Sequence, residues 1–455
     1  MSGLSGSLNV ALQSLLTQQA ALRATTDNIG NINTPYYARR RPVISEQTPV
    51  YESGILVGRG AQLTSVESIR DRVLELRISS EQQRQSATEA FIQSMGTVET
   101  LFGTGADSLG AKVQSFFNSL NQLSTSPTDG SLRQGVLSAA GDLARTFNQI
   151  SQNLQNQRSQ MNQSVTQSVD EINRLTDAIA AVNQQVAGRV ALGQDPGALE
   201  DQRTQLISQL SSKIDVFVTD TSEGLTLTTV HGEPLVVAGK AYALDTILNT
   251  NSSVHVVANG VDLTSDLHGG ELGGLLQARD QEIASLADKL DGFAYQFANA
   301  VNTVHRQGFD LSGDAGTDLF TIGPSQSGAA SAISLAINDP GKLAASADTA
   351  PGGNANLLAL AALQNSQIID GQTPAEAYSE LVFQTGSSVA NAKADQQAGE
   401  GVLAQLNDLR GAISGVSLDE ESANLIRFQQ AYEASARVIQ TINEMLEVAV
   451  NLGRV

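Results

Sequence analysis

Four oxygen-bearing side chains in the segment DLSGDAGTDLF are spaced like the ligands of a calcium-binding loop. Counted from the first aspartate, they fall at the first, third, fifth and ninth loop positions and are Asp310, Ser312, Asp314 and Asp318. Such a loop also needs glycine at its sixth position for a sharp turn and a bidentate glutamate at its twelfth. Ala315 and Thr321 occupy those two positions. We therefore expect an acidic turn here and no metal site.

The other residues that could support chemistry do not form a recognisable group. None of the four histidines has another at the i+3 or i+4 spacing of a helical metal site, so we expect surface or loop positions for His231, His255, His268 and His305. The glycine-rich run HGGELGGLL matches no phosphate-binding motif and is expected to be a turn leading into a helix. No Ser/His/Asp grouping or isolated carboxylate pair stands out. The sequence therefore predicts no enzyme and no cofactor.

Composition excludes several further classes of function. The 455 residues include 47 acidic and 27 basic side chains, a net charge of −20, which argues against nucleic-acid binding. Cysteine and tryptophan are absent and aromatic residues make up only 4%, so packing is expected to rest on aliphatic side chains. No apolar run is long enough to span a membrane, and no cleavable signal peptide is visible at the N-terminus.

The two ends of the chain carry matching apolar patterns. In residues 418–455 one line repeats every seven residues and comprises Leu418, Leu425, Tyr432, Ile439 and Leu446. A second line, three residues on, comprises Phe428, Ser435, Ile442 and Ala449. Residues 3–30 show a similar stripe of Leu4, Leu8, Ala11, Leu15, Leu22 and Ile29. Heptad repeats of this kind are typical of long helices that pack on other helices, so we predict that the terminal helices pair as a coiled coil.

Twelve of these residues are the candidate assembly seam, the surface expected to drive association. The assembly seam comprises Leu4, Leu8, Leu15, Leu22, Ile29, Leu418, Leu425, Phe428, Tyr432, Ile439, Ile442 and Leu446.

Between the ends, the pattern predicts a mainly α fold with an inserted β-rich domain. The apolar period changes from helical to two at Ile214, where short β-type runs begin. We predict an N-terminal helix in 1–35, a β-rich domain in 214–270 with 309–353 as a further candidate part, and a C-terminal helix in 416–455. The remaining segments are expected to form a long helical bundle and are 36–213, 271–308 and 354–415.

The segment NIGNINTPYYARR resembles the N-terminal signature NIANxNTxGYxR of the bacterial flagellar rod, hook and hook-associated proteins. The matching residues are Asn28, Ile29, Asn31, Asn33, Thr34, Pro35, Tyr37 and Arg39. Tyr36 stands where the signature has glycine, so the local turn is expected to differ. The segment SGVSLDEESANLIRFQQAYEASARVIQT and three internal stretches narrow the resemblance to the hook-associated junction proteins. The internal stretches lie at 116–137, 195–211 and 269–280.

The resemblance implies a structural protein that polymerises as a ring between the hook and the filament. Its terminal helices would form an inner domain that lines the export channel, and its small β domain would project outward. The implied partners are other copies of itself, the hook protein, a second junction protein and an export chaperone at the C-terminal helix, with no nucleic acid and no membrane. The implied location is the extracellular flagellum, reached through the flagellar type III apparatus without a cleaved signal peptide.

The alternatives at this point are another axial protein of the hook or rod, and a secreted scaffold or adhesin. A hook or rod protein would share the N-terminal signature but not the RFQQAY segment. The sequence gives neither the number of subunits, nor their contacts, nor the bounds and ligands of the β domain. It also leaves open whether the Asp310–Asp318 loop binds an ion.

Overall fold

The computed structural model describes residues 2–452 except 53–54, 222–223, 251 and 351. The chain divides into two compact units. Unit 1 comprises Met1–Gln82, Ile172–Ala243 and Glu400–Val455, and unit 2 comprises Gln83–Glu171 and Leu244–Gly399. Both chain ends therefore belong to unit 1.

Helices dominate the part of the chain that the structure describes. They are α1 (Ser2–Gly30), α2 (Arg72–Glu99), α3 (Leu109–Thr125), α4 (Gly130–Ala191), α5 (Gly197–Lys213), α6 (Gly270–Gln277), α7 (Ile283–His305), α8 (Ala329–Ala332), α9 (Ala355–Ala362), α10 (Pro374–Ser414) and α11 (Leu418–Leu452). A π-helical turn joins α6 to α7 at Ala278–Glu282. None of these helices combines the length and the apolar character needed to cross a membrane. The prediction of a mainly helical fold with small β sheets is confirmed.

Among the residues described, the strands form five small antiparallel sheets. They are β1 (Arg40–Glu46), β2 (Val50–Glu52), β3 (Ile55–Val57), β4 (Ala61–Ser68), β5 (Phe217–Thr221), β6 (Gly224–Thr228), β7 (Pro234–Val237), β8 (Lys240–Ala241), β9 (Leu244–Leu248), β10 (Val254–Ala258), β11 (Val261–Asp262), β12 (Phe320–Thr321) and β13 (Ser334–Leu335). After α1, β1 pairs with β4, and between them β2 pairs with β3. The other sheets have the orders β5-β6-β7-β8, β11-β10-β9 and β12-β13.

The β-type region differs from the single domain predicted over 214–270. Its strands form two separate sheets, of which β5 to β8 belong to unit 1 and β9 to β11 to unit 2. The candidate segment 309–353 belongs to unit 2, where Leu319, Phe320 and Ile333 are buried in the helical core. The short strands of segment 309–353 are therefore held in place by apolar side chains buried against the helices of unit 2.

The core of unit 2 contains a cluster of phenylalanines that the low aromatic content did not suggest. Neighbouring rings have centroids 5.3–6.3 Å apart at tilted or edge-to-face angles, an arrangement that adds to the area each ring buries. The rings belong to Phe116, Phe117, Phe147, Phe293, Phe297 and Phe320. The few aromatic residues are therefore concentrated where they join α3, α4, α7 and β12.

Two glycines of unit 2 helices should respond in opposite ways to alanine. A Cβ on Gly274 of α6 would lie 2.0 Å from the backbone oxygen of Ala87, whereas nothing lies within 4 Å of a Cβ on Gly135 of α4. We expect Gly274→Ala to lower the free energy of unfolding by about 3 kcal/mol, because the helices must separate. Gly135→Ala should raise it by about 0.5–1 kcal/mol. Urea unfolding followed by circular dichroism measures both, and equal effects would contradict this packing.

Candidate assembly site

The site lies in unit 1, where the turn after α1 meets the beginning of α11. The turn is held by its own polar side chains. Asn31 donates its amide to the backbone oxygen of Asp27 at 2.9 Å, and Thr34 donates its hydroxyl to the Asn31 side chain at 3.1 Å. Asn and Thr side chains offer the backbone local partners in this way, which ends α1 and starts a turn. Asn33 and Pro35 are exposed at the apex.

Asn28 is the centre of the site and uses its whole hydrogen-bonding capacity. Its amide nitrogen donates to the Arg40 backbone oxygen at 2.9 Å and to Glu421 Oε2 at 3.0 Å. Its oxygen accepts from the Tyr37 hydroxyl at 2.8 Å and from the Arg40 backbone N–H at 2.9 Å. Only 1% of Asn28 is exposed. A buried amide with four partners fixes the geometry of the elements that supply them.

Glu421 connects this centre to the C-terminal helix. It is buried, and its second oxygen accepts from Arg39 Nε at 2.7 Å, while Arg39 also pairs with the exposed Glu420. The Arg39 backbone N–H donates to the Ser414 oxygen at 2.9 Å. Both glutamates lie in the first turn of α11, where the helix dipole favours negative charge. The signature turn and the C-terminal helix are therefore joined by an ion pair whose carboxylate, that of Glu421, is buried.

Tyr36 adopts a backbone conformation that explains the glycine of the family signature. Its φ angle is +63°, in the left-handed region that glycine reaches without steric cost. The turn is thus of the kind that glycine would make, although a different turn was expected. The Tyr36 hydroxyl is 2.9 Å from the Ser208 hydroxyl, and the Arg410 guanidinium lies 5.4 Å from its ring centroid. These contacts offset the strain of the tyrosine.

Asp201 of α5 is a second polar centre that secures the turn. It accepts from the Ala38 backbone N–H at 3.2 Å and pairs with Arg40 at 3.4 Å and with Arg70. Burial raises the pKa of Asp201, although Arg70 opposes this. Burial likewise raises the pKa of the Tyr37 hydroxyl to about 12, against the lowering effect of Arg40. The Tyr37 phenol is therefore neutral at physiological pH and available as the hydrogen-bond donor to Asn28.

Helices α1 and α11 pack against each other in antiparallel directions. The Ser14 and Ser435 hydroxyls are 2.9 Å apart, and Asn28 contacts Glu421. Fourteen residues separate the two partners on each helix, in opposite directions, which fixes the register. The buried residues of α11 repeat every seven positions and are Glu421, Phe428, Ser435 and Ile442. The buried face of α1 consists of small or polar residues, namely Ala11, Thr17, Ala21, Ala24, Thr25 and Asn28.

The assembly seam predicted from the sequence is only partly buried within one chain. Phe428 and Ile442 are buried, and Leu418 is 51% exposed. The other seam residues are half-buried and are Leu4, Leu8, Leu15, Leu22, Ile29, Leu425, Tyr432, Ile439 and Leu446. Further large apolar side chains are exposed on the same helices and are Leu12, Leu16, Ile426, Val438, Met445, Val448 and Val450. The helix pair therefore presents more apolar surface than its own contact covers.

Several residues of the site were missed from the sequence. Glu421 lies one heptad before Phe428 on the second apolar line, so continuing that line would have found it. Asp201, Ser208 and Ser414 have no comparable signal, because they reach the turn from distant parts of the chain.

The acidic loop at Asp310 carries its own cation. The Lys342 ammonium lies 2.9 Å from carboxylate oxygens of both Asp310 and Asp314, and Arg306 pairs with Asp318. The hydrogen bonds that Lys342 donates to these two aspartates raise the pKa of its ammonium group. No group of three or more potential metal ligands is found among the described residues. The acidic side chains of this loop are therefore paired with Lys342 and Arg306.

The expectation of a surface position is wrong for His305, which is fully buried at the end of α7. Its Nδ1–H donates to the Thr317 backbone oxygen, and its Nε2 accepts from the Ala344 N–H at 2.9 Å. His231 and His268 are exposed, and His255 pairs with Asp262 at 2.6 Å. His305 is thus a structural residue. It fixes the loop between α7 and the short 3₁₀ helix Pro340–Lys342.

His305 should make unit 2 sensitive to mild acid. Burial lowers the pKa of His305 below its ordinary value of 6.5, so the unfolded chain takes up the proton first as pH falls. Its contribution to stability is complete above that ordinary value and declines below it, by at most about 1.4 kcal/mol per pH unit. Thermal unfolding between neutral and mildly acidic pH should therefore show this loss in wild type and in the exposed control His231→Gln. His305→Gln should show a flatter dependence, and an unchanged slope would contradict the assignment.

Similarity to known protein families agrees with this geometry. The profile of the flagellar basal body rod FlgEFG protein C-terminal domain matches residues 411–452, the segment that contains α11. The profile of the flagellar hook-associated protein FlgK helical domain matches residues 95–320. A signature turn joined to a paired C-terminal helix, with these matches, defines a structural protein of the flagellar axis.

Relatives identify the member of that class. The chain is 28% identical to flagellar hook-associated protein 1 of Escherichia coli (strain K12), over 99% of this chain and 100% of the relative. It is 30% identical to that of Bacillus subtilis (strain 168), over 98% of this chain and 97% of the relative. The flagellar hook junction protein FlgK from Burkholderia pseudomallei has the same fold, with a TM-score of 0.68 at 19% identity over 74% of this chain and 100% of that chain. The chain belongs to the flagellar hook-associated protein 1 family. It is a structural component of the flagellum, a hook-associated junction protein.

Proposed function

We propose that this chain polymerises through its terminal helices as a ring between hook and filament. The observation that carries the proposal is the apolar surface of α1 and α11 that their own pairing leaves uncovered, including the half-buried assembly seam. Apolar area that remains exposed on a monomer marks an interaction surface. In a ring, each copy would cover this surface with the helices of its neighbours.

The same proposal gives each segment of the chain a place in the assembled structure. The segments 1–35 and 416–455 would form the inner domain and line the export channel, pairing as a coiled coil in the assembled structure. The mainly helical segments 36–213, 271–308 and 354–415, the first of which also contains β1 to β4, would lie outside it, and the two sheets of 214–270 would project outward. The alignment with the Escherichia coli relative has 546 positions, more than the 455 residues here, so that relative has segments that this chain lacks.

Its proposed partners are the hook protein, a second junction protein and an export chaperone that holds α11 before assembly. We propose that it reaches the extracellular flagellum through the flagellar type III apparatus and performs no catalysis. The exposed apolar residues of α11 support the need for a chaperone, because they would otherwise favour aggregation.

A deletion strain tests the proposed function. Cells that lack this gene should make hooks but lose their filaments into the medium, and a plasmid copy should restore attached filaments. Electron microscopy of the cells and assay of released flagellin measure both results. Filaments that stay attached in the deletion strain would overturn the junction role.

A further inference from the structure

Tyr36 gives the signature turn contacts that glycine at the same position could not make. The backbone is left-handed at this residue, with a φ of +63°, and a side chain is strained in that conformation. The glycine of the family signature adopts it readily. Such strain persists only where the surrounding structure holds the residue, so it points to a role for the tyrosine side chain.

The Tyr36 hydroxyl is bonded to α5 and, through α5, to α2. Its oxygen lies 2.9 Å from Ser208 Oγ of α5. The Ser208 hydroxyl donates to Gln82 Oε1 of α2 at 2.7 Å. A hydroxyl has a single proton to donate, so the Tyr36 hydroxyl must be the donor to Ser208. The three side chains thus form a chain of hydrogen bonds that runs from the signature turn through α5 to α2.

The Tyr36 ring contacts a third helix, α10. The Arg410 guanidinium lies 5.4 Å from the ring centroid, within the range of a cation–π interaction. Burial raises the pKa of Glu75 of α2, and the charge of Arg410 opposes this shift. Tyr36, Glu75 and Arg410 line one cavity of about 530 Å³. Because the ring borders this open space, the hydroxyl and the guanidinium fix its position more than close packing does.

The contact of Tyr36 with α5 is the second that the signature turn makes with that helix. The first is at Asp201, which accepts from the Ala38 N–H at 3.2 Å and pairs with Arg40. Asp201 and Ser208 are seven residues apart, so they share one face of α5 and lie about 10 Å apart along its axis. Two separated contacts prevent the turn from rotating on the helix, which a single contact would allow.

We propose that Tyr36 is a positioning residue that holds the signature turn against α5 and α10 in the free subunit. Its contacts lie within one chain and within unit 1, so they need no neighbouring subunit. Asn28 and Arg39, on either side of Tyr36, bond to Glu421 of α11. Tyr36 therefore orients the end of the α1–α11 pair before assembly. Because this role is played within one chain, it does not depend on the proposed ring.

Hydrogen exchange of the free subunit, followed by mass spectrometry, tests this role. Tyr36→Asn removes the ring and the hydroxyl, and asparagine tolerates the left-handed conformation without the backbone freedom of glycine. The segment 37–41 should exchange roughly tenfold faster, because one hydrogen bond and one cation–π contact are lost. Tyr51→Asn changes an exposed tyrosine and is the matched control, which should leave that segment unchanged. If the tyrosine contributed only strain, Tyr36→Asn would relieve it, so equal or slower exchange than in wild type would overturn the proposal.

Pairs of substitutions separate the two contacts of Tyr36 from a general loosening of the chain. Arg410→Gln should speed exchange of segment 37–41 in wild type and in Tyr36→Phe, which keeps the ring, but should add nothing in Tyr36→Asn. Ser208→Ala should have a smaller effect in Tyr36→Phe than in wild type, because the hydroxyl contact is already lost there. Residues in contact show such non-additive effects, and distant ones do not. Additive effects in both pairs would therefore overturn the positioning role.

Discussion

Asn28→Leu is expected to detach the C-terminal helix from the signature turn. The leucine has nearly the same volume but provides none of the four hydrogen bonds that Asn28 makes. Each buried polar group left without a partner costs about 1–3 kcal/mol, and a charged one costs more. The Glu421 carboxylate is such a group, although Arg39 remains beside it. We expect a loss of about 3 kcal/mol or more in the stability of unit 1.

Hydrogen exchange of the α11 backbone measures this effect locally. Amides between Glu421 and Ile442 should exchange much faster in Asn28→Leu than in wild type, whereas those of α7 should not change. Asn33→Leu is the matched control, because Asn33 belongs to the same signature but is exposed at the apex of the turn. Its effect on stability should stay within about 0.5 kcal/mol. Equal exchange in the two variants would show that Asn28 is not the centre of the site.

The sequence predicted the elements of this fold better than their extent. The heptad repeats located α1 and α11. The strands β1 to β4 lie between Arg40 and Ser68, within the segment 36–213 that was assigned to the helical bundle. However, the pattern did not show that α4 continues without a break over 62 residues, Gly130–Ala191. No proline occurs in this segment, so nothing ends the helix.

The division of the β region could not be read from its pattern. An alternating apolar pattern shows that a segment is a strand but does not identify its neighbour. β8 ends at Ala241 and pairs with β7, whereas β9 begins at Leu244 and pairs with β10. The boundary between the two units falls in this short interval. The strands are distinguished only by tertiary contacts: Asn183 of α4 donates to the Leu225 oxygen of β6, whereas Asn162 of the same helix accepts from the Val254 N–H of β10.

The sequence predicted the site residues that lie close together along the chain and missed those that lie far from them along the chain. The signature named Asn28 and Arg39, but their partner Glu421 is 393 residues from Asn28 along the chain. Leucines were expected to form the buried line of α1, yet the structure buries Ala21 and Ala24 there. Small residues allow close approach of α11, which leaves the leucines half-buried at the sides of the contact. The heptad pattern alone does not show how much of the apolar stripe of α1 is covered by one partner helix.

Aspartate substitutions along α11 should separate packing within one chain from packing between chains. Ile442 is 6% exposed and belongs to the face that meets α1, whereas Val438 is 49% exposed. Ile442→Asp places a charge in that buried contact and should loosen α11 in the monomer, since an unpaired buried charge is strongly unfavourable. Val438→Asp should leave the monomer unchanged. If α11 is an assembly surface, Val438→Asp should nevertheless abolish filament attachment, because the same change repeats in every copy.

Ile439→Asp is expected to have the largest combined effect. Ile439 is a half-buried member of the assembly seam, so the charge would disturb both the contact with α1 and any contact with a neighbour. Glu433→Gln and Arg437→Gln change exposed charges on the same helix and should be mild, within about 0.5 kcal/mol. The measurements are monomer hydrogen exchange and filament retention in the complemented deletion strain. Normal filaments in both Val438→Asp and Ile439→Asp would refute the assembly role of α11. Filament loss in Val438→Asp, with a wild-type monomer and normal export of the protein, would instead indicate a surface that α11 shares with another subunit.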